Sequence, residues 1–332
     1  MNYMARRKSN KIQPAEMTVT LSTPSVAAGG SGEFTADLSQ IASLVNRRFY
    51  RQGLNWAVAG FKLFSAPGVS GNVTMLKLPN TWVTSNAWEK SFRAWNKQQM
   101  DAIEEAGAES AVARFRDYKV HADVTHVTAG FAANLLPIDG QRPVAQPYQA
   151  GEWQDSIIVL PNADLDPVSG ARTEPREVQL HMCGINEAVI GAGTSRGILE
   201  GYADSRAFPQ SPDPVSPAID SGNNWLRAMF DVGNDNEDIT DNATDRNDNL
   251  PYPQVDYPGG ETQAPSLAIH DISGITATTI GGNTRLKGGN FPCGLIRVVF
   301  DNTGSVAGNV AIQIDLVPGH HRGYLCEPMT EM

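Results

Sequence analysis

Five consecutive residues mix cations with aromatic rings: Arg47, Arg48, Phe49, Tyr50 and Arg51, in the stretch NRRFYRQG. Guanidinium groups grip phosphate oxygens and aromatic faces accept unpaired bases, so the mixture suits sequence-independent contact with single-stranded nucleic acid. The same arginines also suit a structural task. The pattern predicts a helix from Leu38 to about Arg51, with Asp37 and Gln40 as the cap pair, Ile41, Leu44, Val45 and Phe49 on one face, and Gly53 after the end. Cations in the last turns of such a helix are favoured by about 0.3–1 kcal/mol each, and their guanidinium groups still point outward to phosphate. Arg114, Arg116 and Lys119 form a second, sparser cluster.

The first eleven residues, MNYMARRKSNK, hold Arg6, Arg7, Lys8 and Lys11 and no acid, while the whole chain of 332 residues carries a formal charge of −10. A basic arm, residues 1–16, on an acidic body, residues 17–332, is the arrangement of a protein that meets a polyanion at one short segment and faces water or sister subunits elsewhere.

Enzyme and metal chemistry find thinner support. GTSRG, residues 193–197, satisfies the pattern of a nucleophile elbow around Ser195, but the residues after it do not read as a convincing helix and no histidine among His270, His320 and His321 stands out as its base. Asp235, Glu237, Asp238 and Asp241 could gather calcium, yet the segment lacks the glycine and final glutamate of an EF-hand loop. His121 and Asp123 would share the outer face of a strand, without an identifiable third ligand. No catalytic residue, metal or cofactor is therefore assigned. Cys183, Cys293 and Cys326 are far apart and odd in number, which fits a reducing compartment, and no apolar run is long enough to cross a bilayer.

The elements that must position these residues are mostly strands. In NVAIQIDLV, Val310, Ile312, Ile314 and Leu316 alternate with Ala311, Gln313 and Asp315; REVQLHM and the start around Met17, Val19 and Leu21 repeat the pattern. Further strands are expected at Leu54 to Phe64, Val73 to Leu78, Tyr118 to Val127, Ser156 to Leu160, Leu267 to Ile272, Ile275 to Ile280 and Leu295 to Phe300. A second helix is expected around Trp88 to Ile103, capped by Asn86 with Glu89, stopped at Gly107, and burying Trp88, Phe92 and Trp95. Residues 203–265, with eight of the 21 prolines and the acidic run DVGNDNEDITDNATDRNDN, read as a loop insertion on the outer surface. An all-β class with two packed sheets follows.

The run DLSQIASLVNRRFYRQGLNWAVAGFKLF, the middle helix FRAWNKQQMDAIEEAG, and the closing phrases TRLKGGNFPCGLIRVVFDN and QIDLVPGHHRGYLCEPM resemble the capsid proteins of small circular single-stranded DNA viruses of the Rep-encoding (CRESS-DNA) group. The resemblance implies an eight-stranded viral jelly-roll β-sandwich with long loops and a few short helices. It also implies copies closing into a small icosahedral shell, on the order of 60 in the simplest case, with the arm inside around the DNA genome. It implies no catalysis and no membrane insertion, and places the chain in the virion after synthesis in the host cytoplasm, with entry into the host nucleus left open; the host receptor is not legible.

One departure matters. Many capsids of this kind are similar in carrying a long arginine-rich arm, whereas Arg6, Arg7, Lys8 and Lys11 offset about four phosphates. Further inner-surface cations are then needed, and Arg47, Arg48 and Arg51, with Phe49 and Tyr50 for stacking, fit that role. A non-capsid β-sandwich that binds carbohydrate or a receptor remains the alternative, its aromatic residues lining a groove.

Overall fold

A computed structural model describes residues 14–107, 117–140, 146–160, 176–184, 195–207, 241–242, 267–276 and 283–332. Among the described residues most regular structure is antiparallel β. One sheet joins β1 (Thr18–Ser22), β11 (Val310–Leu316), β3 (Leu54–Ser65) and β9 (Asn283–Phe291), in that order, with β14 (Cys326–Pro328) also on β3. The other joins β2 (Ser31–Asp37), β10 (Leu295–Asn302), β4 (Gly71–Lys77) and β8 (Ala268–Ile275). Eight of these strands pair in a nested order: β1 with β11, β2 with β10, β3 with β9 and β4 with β8.

Alternation explains the core between these sheets. Val310, Ile312, Ile314 and Leu316 point inward and meet Val19, Leu21, Phe61, Leu63, Val73, Met75, Val298 and Phe300 in one buried cluster. On β3 the inward set changes parity, from Trp56 and Val58 to Phe61 and Leu63, because the register against β11 shifts at Ala59. That extra residue lets both halves of a twelve-residue strand face the core. Gly288 of β9 lies beside it: a Cβ there would sit 2.2 Å from the Val58 carbonyl oxygen, so only glycine fits.

The chain between β4 and β8 builds a second layer. Its parts are α2 (Trp82–Glu105), α3 (Val124–Ala129), the strands β5 (Ile157–Leu160), β6 (Arg176–His181) and β7 (Ser195–Gly197), and α4 (Ile198–Ala207). Val83, Ala87 and Trp88 of α2 pack on Tyr118, Ile158, Val178, Leu180 and Leu199. The Gln98 side chain closes the open edge of β5, donating to the Val159 carbonyl at 2.6 Å and accepting from its N–H at 3.1 Å. A short hairpin of β12 (Pro318–Gly319) and β13 (Gly323–Tyr324) precedes β14.

Several expectations change. The stretch from Tyr118 is not a strand: a bridge at His121 is followed by α3, capped by Asp123. α2 starts at Trp82 with Thr81 as its cap, so Asn86 is interior, while Gly107 (φ +60°) does follow the end. One strand, β8, replaces the two expected at Leu267 to Ile272 and Ile275 to Ile280, and residues 277–282 lie outside the described residues. So does nearly all of the 203–265 insertion.

Candidate nucleic-acid interface

The first helix, α1 (Leu38–Asn46), is shorter than its apolar pattern suggested. Asp37 caps it as expected, accepting from the Ser39 N–H at 2.8 Å. The helix stops because Arg47 turns into the left-handed region at φ 53°, so Arg47, Arg48 and Arg51 lie beyond it and not in its last turn. The dipole account of these arginines therefore fails for this chain, since the favourable field is confined to the last turn. All three are exposed. Their backbone is pinned: Ser39 Oγ donates to the Arg51 carbonyl at 3.0 Å, and the Arg322 guanidinium donates to the Phe49 carbonyl.

The aromatic pair divides. Tyr50 is fully buried, its hydroxyl donating to the Arg322 carbonyl at 3.0 Å and its ring 5.5 Å from Tyr324 and 5.9 Å from Trp56. It is a core residue and cannot stack on a base, which corrects the expectation for it. Burial raises its phenol pKa, against the pull of Arg48. Phe49 is half-buried, 6.2 Å from the Trp153 ring.

The root of the N-terminal arm is fastened to this same corner. Asn46 Oδ1 accepts from the Glu16 N–H at 3.1 Å, the Tyr324 hydroxyl donates to the Glu16 carbonyl at 2.7 Å, and Arg48 Nη1 donates to the Pro14 carbonyl at 3.3 Å. Arg6, Arg7, Lys8 and Lys11 lie outside the described residues. Arg322 is the residue that sequence reasoning missed here; its only signal was the turn HHRG, residues 320–323.

The remaining candidates scatter. Lys119 is 3% exposed, paired with Asp117, with Nζ 4.5 Å from the Trp153 ring centre, so it offers nothing to phosphate; Arg114 and Arg116 lie outside the described residues. His121 is buried, not on an outer face, and Asp123 accepts from Arg297 at 2.5 Å. Ser195 opens the short strand β7, and a helix does follow it, since α4 begins at Ile198, contrary to expectation. Its Oγ is nevertheless fully buried and bonded to no base. Asp235, Glu237 and Asp238 lie outside the described residues. Among the described residues no group of three or more His, Cys, Asp or Glu side chains is placed to hold a metal, and no helix is long and apolar enough to cross a membrane.

No protein-family model, curated protein or solved structure matches the chain. The corner built from Arg47, Arg48, Arg51 and the arm root is thus judged on its chemistry: three exposed, permanently charged guanidinium groups beside one half-buried ring, able to neutralise phosphates without reading a base sequence.

Proposed function

We propose that this chain is the coat protein of a small circular single-stranded DNA virus, self-assembling into an icosahedral shell of on the order of 60 copies that encloses the genome. The observation that carries the proposal is the nested pairing of β1 with β11, β2 with β10, β3 with β9 and β4 with β8 across a five-stranded and a four-stranded sheet. Wrapping a chain in this nested fashion is how a jelly roll is made, and viral coats use that architecture. Support also comes from the apolar outer residues of the edge strand β8, Ile269 at 64% and Ile272 at 55% exposure, which suit a contact with a neighbouring copy. The fastening of a basic arm beside Arg47, Arg48 and Arg51 supports sequence-independent phosphate contact on the shell's inner face.

The test is direct. Purified full-length chain, viewed by negative-stain microscopy and light scattering, should form uniform closed particles. A stable monomer or trimer at every salt and protein concentration would refute the proposal and favour a β-sandwich that binds carbohydrate or a receptor.

A further inference from the structure

A cavity of about 310 Å³ opens between the segment after α1, the first turns of α2 and the C-terminal residues, with Arg51, Trp88, Phe92, Arg93 and Tyr118 in its lining. Three features give it chemical character. The Trp88 and Phe92 rings stack 5.3 Å apart at 8°, with Tyr118 edge-on to Trp88 at 5.8 Å, which makes a rigid aromatic wall. Gly53 keeps that wall open, because a Cβ there would come within 2.3 Å of the Trp88 ring. Trp88 Nε1 is buried without a hydrogen-bond partner, an unusual state for a donor 93% removed from water together with its side chain (7% exposed).

The charge is cationic. Arg51 and Arg93 are exposed at the lining, against one carboxylate, Glu89, which already pairs with Arg93. Sugar recognition needs several planar polar side chains around the aromatic surface, and the lining offers none besides Glu89 and the two guanidinium groups. The volume stands at the lower end of ligand sites, roughly 300–1,000 Å³, which suits a single base better than an oligosaccharide. Arg51 also belongs to the exposed arginine strip at the arm root, so cavity and strip form one continuous surface.

We propose that this cavity is a nucleotide slot: it takes one base of a single strand against Trp88 and Phe92, with the flanking phosphates on Arg51 and Arg93. The slot rests on the nucleic-acid reading above but not on shell formation. Base–aromatic stacking is sequence-tolerant, and losing one such contact weakens binding about tenfold or more.

The experiment titrates full-length protein with oligothymidylate of 20 nucleotides, following tryptophan emission. Binding should quench emission, Trp88→Phe should remove much of the quench, and Phe92→Leu and Arg93→Gln should each weaken affinity about tenfold while the urea midpoint stays near that of the unaltered protein. These last two sites are half-buried and exposed, so the test survives if Trp88→Phe fails to fold. Thymidine 5′-monophosphate should displace the strand where inorganic phosphate does not. Affinity unaltered by Phe92→Leu, or equal displacement by phosphate, would overturn the slot and leave only a cationic surface. Closed particles that package DNA with no sensitivity at Phe92 overturn the slot while sparing the coat reading; sensitivity at Phe92 without particles does the reverse.

Discussion

His126 is 1% exposed and both of its ring nitrogens are committed. The Ala122 N–H donates to Nδ1 at 3.1 Å, and Nε2–H donates to Asn134 Oδ1 at 2.9 Å; the Asn134 amide in turn donates to Gln40 Oε1 at 3.0 Å. A second ring proton would have to sit on Nδ1, facing an amide donor. Burial first, then the His121 ring 4.8 Å away, hold the pKa down at about 3 from the ordinary 6.5; Asn134 and Asp155 pull it up and Arg297 pulls it down. Between those two values the unfolded chain binds the proton that the folded chain refuses, so stability falls as pH falls through that window. From pH 7 to 4.5 the loss is about 2–3 kcal/mol, at roughly 1.36 kcal/mol per unit. Asp37 acts with the opposite sign. Burial lifts its carboxyl to about 6 from 3.8, against hydrogen bonds from Ser39, Gln52, Gln40 and Trp153. The folded protein therefore takes that proton first and gains about 2 kcal/mol over the same interval. In the unaltered chain the two nearly cancel, which hides both. His126→Gln keeps a donor and an acceptor but no titration, so its change in unfolding free energy from pH 7 to 4.5 should be more favourable than that of the unaltered chain by about 2–3 kcal/mol. Urea unfolding at the two pH values measures this. A variant that tracks the unaltered chain within about 0.5 kcal/mol, the scatter of such extrapolations, refutes a buried, neutral His126.

Replacing Arg47, Arg48 and Arg51 together by Ala should lower the salt dependence of binding to single-stranded DNA by about two units of log–log slope, at roughly 0.7 per phosphate contact, and raise the share of empty particles; an unchanged slope and absorbance ratio would remove these residues from the interface. Arg297 is 2% exposed and donates to Thr35, Glu33 and Asp123. Glu33→Gln with Asp123→Asn strands a buried charge and should cost about 3 kcal/mol in urea unfolding, whereas Arg297→Leu, which leaves half-exposed Glu33 to water, should cost less than half of that. Gly288→Ala should destabilise by more than the ~1 kcal/mol ordinarily attached to a glycine site, because the added Cβ meets the Val58 and Ala59 carbonyls; a neutral result in thermal unfolding would deny the close approach of β9 to the β3 bulge.

What could be read locally was read from local patterns. The alternation on β11, β6 and β1 and the Asp37 cap are set by neighbours one to three residues away, and each stands where its pattern put it. β9 escaped because LKGGN breaks the alternation at Gly288 and Gly289, and what demands glycine at 288 is the β3 backbone, more than two hundred residues distant. β2, with SGEFTAD, is half polar and carried no clear period.

The site divides the same way. That three arginines cluster beside aromatic residues and near a basic arm was determined by sequence alone, since charge and covalent proximity need no fold. Which of them face solvent was decided by tertiary structure. Tyr50 is lost to the core through a hydrogen bond to Arg322, 272 positions away, and Arg47 ends its helix in a left-handed turn while the Tyr324 hydroxyl ties the arm root to the same corner. Likewise Trp88 and Phe92 announced a buried helix face, but only the approach of Gly53 and the C-terminal residues leaves a cavity beside them. Periodicity records which side of an element is apolar; what covers that side depends on contacts between residues far apart in the chain, and no local pattern encodes them.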